Sequence, residues 1–164
     1  MALESTPKSV ASDGTLRIWF VPAGSNPKSV AILNGATAKS ITYSLVPDGY
    51  SRTTTEERIK DERLTMKQIL ERPGTIGDEV ELQYVFGDAA DVAAAALAEG
   101  VEGFLVVRSA IANDLAPTVG QKVDILTIQC GKQRKNKPTR NGVWTKAQNI
   151  FLTDQTQDDV ALVA

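Results

Sequence analysis

Residues 79–86 read EVELQYVF, and their alternation is unbroken. Val80, Leu82, Tyr84 and Phe86 fall on one face, while Glu79, Glu81 and Gln83 form most of the other. Successive side chains of an extended chain point to opposite sides, so the pattern predicts a strand with one buried face and one wet face. The same reading extends upstream. Residues 15–21, TLRIWFV, set Leu16, Ile18 and Phe20 against Arg17 and Trp19, which predicts a second one-faced strand. Pro22–Pro27 is a turn-rich loop, and the short apolar run Val30–Leu33, ending at Asn34-Gly35, suits a single helical turn. Residues 40–46 place Ile41, Tyr43 and Leu45 on one apolar face, and Pro47-Asp48-Gly49 then breaks the run with turn chemistry. Downstream, Phe104–Arg108, Lys122–Cys130 and Val143–Thr153 predict three further strands, and Val160–Val163 a short last one. One helix is expected over Asp88–Glu99. Asp88 is a good N-cap, Asp91 favours the first turn, alanines fill the middle and Gly100 suits the residue after the end. Strands with one helix among them imply a mostly β fold, a sandwich or barrel with a helix packed on it.

Residues 51–71 read two ways. Thr54 and Glu57 have capping-box spacing, and Ile59, Met66 and Leu70 lie near helical periods. Read as extended chain, TTTEERIKDE is polar on both faces. The register of such a strand is weakly specified unless something pairs with it from both sides.

The composition bounds the function. A chain of 164 residues is most simply one domain, and it is long enough to bury a core without disulfides or metal. Eighteen basic and twenty acidic residues leave a net charge of -2, too balanced for a free-standing nucleic-acid binder. The single Cys130 allows no intrachain disulfide. There is no histidine, which removes Ser-His-Asp and Cys-His catalysis, histidine metal sites and the commonest general base. No apolar run approaches the roughly 20 residues that cross a bilayer. Residues 1–14, MALESTPKSVASDG, lack the apolar core of a signal peptide and read as a polar arm.

Each short motif has a plainer explanation. Ser5-Thr6-Pro7-Lys8 matches S-x-x-K, but that chemistry needs the motif on a rigid helix, and here a proline interrupts it. Asp61-Glu62 and the acids of Asp78-Glu79-Val80-Glu81 lack the spaced glycine and asparagine of a cation loop, and read as charged strand edges. Cys130 ends an apolar strand and reads as a small buried hydrophobe. Lys132, Arg134, Lys135, Lys137 and Arg140 form a basic cluster with no acid among them. No aromatic residue interleaves it, so base stacking is not supported. Pro138 and Asn141-Gly142 mark it as a loop between strands, either solvated or touching an acidic patch on a neighbouring subunit.

Three segments carry a resemblance to a known family. In order they are RLTMKQILERPGTIGDEVELQYVFGD at 63–88, VEGFLVVRSAIANDLAPTVGQKVDILTIQCGKQRKNKP at 101–138 and NGVWTKAQNIFLTDQTQDDVALV at 141–163. Their order and spacing, more than any one motif, resemble the major tail tube proteins of long-tailed, non-contractile phages. The likeness is nearest to the versions carried by phages of actinobacterial hosts, and it covers nearly the whole chain. It implies a single tail-tube domain over 1–164, with a flexible arm at 1–13, a long loop or extended region at 46–78 and a C-terminal segment at 154–164. It implies a β-sandwich with one flanking helix, six subunits to a ring, and inner sheets that join into a continuous barrel. Rings would stack into the conduit through which DNA leaves the capsid.

On this resemblance residues 51–71 are extended, followed by a loop that ends at Pro73-Gly74, and Val46–Thr55 belongs to the region that reaches a neighbouring ring. With the charge pattern it singles out Pro47, Asp48, Gly49, Tyr50, Arg52, Glu56, Arg58, Lys135, Lys137, Asp158 and Asp159 as candidate contacts. The implied partners are copies of the chain itself, other tail proteins such as the tape measure and terminator, and double-stranded DNA in transit without specific binding. No catalytic residue, cofactor, metal or membrane partner is implied. The place implied is the virion tail, assembled in the host bacterial cytoplasm. Alternatives are another ring-forming virion protein, such as a tail terminator or head-tail joining protein, or the tube subunit of a contractile secretion device. From a different class, a small-ligand-binding β-barrel would be a monomer with an apolar pocket.

Overall fold

The computed structural model describes residues 6–164. Its strands are β1 (Arg17–Pro22), β2 (Lys39–Ser40), β3 (Leu45–Asp61), β4 (Leu70–Val85), β5 (Glu102–Arg108), β6 (Lys122–Cys130), β7 (Arg134–Lys135), β8 (Thr145–Leu152) and β9 (Gln157–Ala161). They form one antiparallel sheet in the order β2-β1-β5-β6-β8-β4-β3, with β7 paired to β8 and β9 to β6. The sheet turns at β6. The first half of this strand pairs with β9, while Ile128–Cys130 pair with Ile150–Leu152 of β8. Beyond that turn the sheet folds back over itself. Ile18, Phe20, Leu105 and Leu126 therefore share one buried cluster with Val80, Leu82, Tyr84 and Ile150.

A second cluster covers the opposite face of the β1–β5–β6 half. It joins Trp19, Val21, Val106, Val123 and Ile125 to Leu33 of the short helix α1 (Val30–Asn34) and to Leu162 near the C-terminus. This corrects the expectation for β1, which is buried on both faces. Trp19 is inside, with the guanidinium of Arg17 at 4.9 Å and that of Arg108 at 5.4 Å from its ring centre. Arg108 is fully buried, and burial followed by the neighbouring Arg17 charge lowers its pKa. Its two terminal nitrogens donate to the Gln121 side chain and to the carbonyls of Ala112 and Leu115, so it pins the loop between β5 and β6, while its buried Nε has no partner.

Three further expectations are revised. Residues 40–46 are not one strand, because Thr42–Ser44 form a 3-10 turn. There the Thr42 hydroxyl accepts the Ile18 amide at 2.8 Å, a bond that replaces the strand ladder. Pro47-Asp48-Gly49 do not end a strand; they are a bulge inside β3. Pairing jumps from Leu45–Tyr84 to Tyr50–Leu82, and Asp48 takes a left-handed φ of 59°. Gly49 is required there, since a Cβ would lie 2.4 Å from the Gln83 carbonyl oxygen.

The helix expected over Asp88–Glu99 is only α2 (Val92–Ala96), with Asp91 rather than Asp88 at its N-cap. The Asp91 carboxylate accepts the Gly87 amide instead of an amide of the helix. The far end is closed by side chains from distant strands. The Gln133 amide donates to the Ala94 and Leu97 carbonyls at 2.9 Å, and buried Gln148 donates to Leu97 and to Gly131. Tertiary partners thus satisfy carbonyls that a longer helix would have bonded itself. Cys130 is buried as expected, and burial pushes its thiol up to about 11.

Gly103 tests the packing of the first half-sheet. A Cβ there would stand 2.5 Å from the Val21 carbonyl oxygen and 2.7 Å from the Phe20 ring. Gly103→Ala should cost about 1–3 kcal/mol through overpacking, a fall in melting temperature of roughly 3–10 °C. An unchanged thermal melt would show that this contact relaxes freely.

Candidate assembly surface

Residues 51–71 resolve in favour of extended chain, but as a strand rather than a loop. β3 and β4 pair from Tyr50–Leu82 out to Asp61–Leu70. The turn lies at 62–69, so Pro73-Gly74 are inside β4 and do not end a loop. β8 pairs with β4 only from Val80 to Val85. Beyond that point the hairpin projects as a two-stranded ribbon whose residues are almost all exposed. A helix could not form where Thr54, Glu56 and Arg58 find ladder partners in Asp78, Ile76 and Pro73.

At the root of the ribbon the structure brings together two residues that are 106 apart in sequence. Arg52 bonds Asp78 of β4 at 2.9 Å and Asp158 of β9 at 2.7 Å, and lies 3.4 Å from the Thr156 hydroxyl. The Thr54 hydroxyl also bonds Asp78. The Asp78 side chain is only 6% exposed, and the Thr54 hydroxyl and Arg52 hold its carboxyl below the ordinary value. The Asp158 bond, with that of Asp78, holds the Arg52 proton more firmly than usual. This cluster sits on the core-facing side of the sheet, where Arg52 is opposite Val80. It ties the ribbon to the C-terminal strand.

The other candidates divide between the ribbon, the β3 bulge and the basic loop. Pro47 and Asp48 are exposed in the bulge, Gly49 is buried beneath it, and Tyr50 is half-buried, with its phenol pushed up by burial. Glu56 is exposed on the ribbon, and Arg58 pairs with Glu71 at 3.1 Å. Asp159 is in β9 rather than in a tail, with its amide bonded to the Asp124 carboxylate at 2.9 Å. The basic cluster contains β7. Arg134 of that strand bonds Asn149, and Lys135 lies over the Phe86 ring at 5.7 Å. Lys137 is exposed in the following loop. Residues 6–13 are exposed and carry neither strand nor helix, while residues 1–5 of the expected arm, with Ser5 of the S-x-x-K match, lie outside the described residues.

Two features escaped the sequence reading. The first is the join of the wet faces of β3, β4 and β8 just inside the ribbon, where Ser51, Glu81 and Asn149 stand in register across three strands, with Thr53 beside Glu79. The second is an exposed aromatic patch at the opposite end of β4. Phe86, expected in the core, instead packs on Trp144 with ring centres 6.3 Å apart, near exposed Tyr43 and Val143. Among the described residues, no cluster of His, Cys, Asp or Glu could hold a metal, and no helix is long and apolar enough to cross a membrane.

Among the described residues, then, the chain forms one self-paired sheet from which a two-stranded ribbon projects. The profile of the family described as phage tail tube protein matches residues 3–164, nearly the entire chain. The chain belongs to that phage tail tube protein family, a structural component of phage-type tails. Among solved structures, a chain in the cryo-EM structure of the anti-feeding prophage (AFP) baseplate, 6-fold symmetrised, is similar. The TM-score is 0.59 over 94% of this chain and 98% of that one, at 12% identity, a likeness of fold. No curated protein sequence matches.

The root cluster sets an acid sensitivity. The folded pKa of Asp78 is depressed, so its contribution is fully present above its unfolded value near 3.8 and is lost as pH falls through the lower folded value. Urea unfolding should therefore show stability dropping below about pH 4, and Asp78→Asn should flatten that limb while costing about 1–3 kcal/mol at neutral pH. An acid limb unchanged by the substitution would assign the sensitivity to other carboxylates.

Proposed function

We propose that this chain is the major tail tube subunit of a long-tailed, non-contractile phage, closing into six-membered rings that stack into the conduit for DNA ejection. The observation that supports this best is the free edge of β3. From Tyr50 to Asp61 the strand pairs with β4 on one side and with nothing on the other among the described residues. Such an edge is a template for another strand. β3 carries no proline over this stretch, whereas the projecting part of β4 carries Pro73, which cannot donate to a ladder. Identical subunits joined by a repeated rotation close into a ring, and ring closure supplies each β3 edge with a neighbour.

The polar outer face suits the inside of a conduit. Ser51, Thr53, Glu79, Glu81, Gln83 and Asn149 offer hydroxyls, amides and carboxylates. Arg134, the cation beside them, is engaged by Asn149 at 3.0 Å and Glu81 at 3.7 Å. Cations that bind phosphate release counterions and would slow the passage of DNA, and an acidic face avoids this. The role needs assembly surfaces rather than catalytic groups. It also names the partners: further copies of the chain, the tail proteins at either end of the tube and within it, and DNA held without specificity.

Negative-stain microscopy of the purified protein should show six-fold rings or tubes at high concentration. Hydrogen exchange should find the ribbon between Thr55 and Gly77 fast in the monomer and protected in the tube, because little burial fixes it within one subunit. A strict monomer by light scattering at every concentration and salt tested would overturn the reading. Equal protection in both states would remove the ribbon from the contact.

A further inference from the structure

β1 and β5 set Arg17 directly opposite Arg108. Like charges that face each other across an antiparallel pair oppose the pairing. Arg108 is fully buried and Arg17 half-buried, and among the described residues neither is in an ion pair. Their acceptors are neutral: the carbonyls of Ala112, Asn113 and Leu115, and the Gln121 side chain. Two cations thus share one corner of the fold without a counter-charge, an arrangement that burial makes costly.

We propose that Arg17 is the receptor for an oxyanion from outside the subunit, and that the buried charge of Arg108 opposite it adds to the attraction. The chemistry is that of a carboxylate or a phosphate. Its source is an acidic side chain of a second copy of this chain, or the free ion. The site stands without the tube reading; only its supply by a second copy rests on that reading.

The posture of Arg17 is the second argument. Its Nη1 donates to the Asn113 carbonyl at 3.0 Å and lies 3.5 Å from that of Leu115. The guanidinium also lies over the Trp19 ring. One end and one face are therefore fixed. Nε and Nη2 have no acceptor among the described residues, and unlike the Arg108 Nε neither is shut away from solvent. That free edge carries two parallel N–H groups, the fork that matches a carboxylate or phosphate. A guanidinium already held in place loses little freedom when it binds.

Two acids of the chain lie close by in sequence. Asp13 and Asp114 are exposed, and among the described residues neither is in an ion pair. Asp114 stands between the two residues whose carbonyls hold Arg17. Closure of either acid on Arg17 in solution would leave no free edge, and phosphate would then have no effect.

The full-length, unassembled protein is melted in chloride and in phosphate at equal ionic strength. Phosphate at about ten times its dissociation constant should raise the melting temperature by roughly 3–6 °C, and the rise should saturate. Arg17→Gln should lose this increment. Arg17→Lys, which keeps the charge without the fork, should retain only part of it. In the unaltered protein the Arg17 Nε–H resonance should move as phosphate is added, which reads the site even where a variant folds poorly. Absence of both the increment and the movement overturns the proposal. An increment that Arg17→Gln retains belongs to the general exclusion of phosphate from protein surfaces, and overturns it too. Assembly separates the sources. Where a second copy supplies the carboxylate, Arg17→Gln should raise the concentration needed for rings or tubes about tenfold, and phosphate should compete with assembly of the unaltered protein. Phosphate binding with assembly unchanged assigns the site to the free ion. Failure of the unaltered protein to assemble overturns the tube reading and leaves the phosphate result standing.

Discussion

A strand edge is a row of backbone donors and acceptors, and in this chain everything else is arranged around which edges are left bare. β2 and β7 are two residues long, and β9 covers the half of β6 that β8 does not reach. The body of the sheet therefore exposes little edge. β3 does the reverse, with a side that has no partner among the described residues running from the core to the ribbon's tip. A two-stranded hairpin in water is marginally stable at best, so a ribbon of this length depends on its root and on whatever pairs with it outside the subunit.

The root is built from polar side chains bonded across elements, from nearly buried Asp78 to exposed Asp158. Arg52 is held by a carboxylate from its own hairpin and another from the C-terminal strand, which fixes the direction in which the ribbon leaves the body. On the other side of the fold, Arg108 is buried against Trp19 with carbonyls and one amide as its acceptors. Gln148 joins the end of α2, the Gly131 carbonyl and the Tyr84 hydroxyl. Such groups add little net stability when satisfied, and breaking one partner strands the others. Their value is positional. They place a ribbon, a loop and a short helix that apolar packing alone would leave loosely oriented.

Alternation made the inner part of β4 legible, because a strand with one buried face writes its period into the sequence, while β1 reads as a strand whose second buried face, that of Trp19, alternation misassigns. It could not place β3 beyond Tyr50, where both faces are polar and the residues fit a capping box as well as a ladder. The helix over residues 88–99 was overread because its alanines carry helix propensity, while the amides of Gln133 and Gln148 that close it early come from far along the chain. The same distance hid the Arg52–Asp158 pair, although each residue was singled out by its charge. Tyr43 and Phe86 were assigned to apolar strand faces and are instead on the surface patch. Places where consistent local rules fail are commonly where a sequence serves something other than its own core.

The ribbon's composition resolves a conflict between assembling and not aggregating. An apolar edge strand would pair with any other strand, including in the wrong register. Residues 51–63, SRTTTEERIKDER, avoid this by alternating charge signs and by keeping both faces polar. Like charges that meet directly across a slipped pairing disfavour it, which adds some register preference to a strand whose two polar faces specify little by themselves. Each such contact is weak, since exposed ion pairs contribute little. In the ring proposed above, however, every subunit would make the contact twice, and once one side is engaged the other would be held close to its partner at a high effective concentration. Weak polar edges fixed at the root by Arg52 can thus yield a firm closed ring from subunits that do not pair indiscriminately.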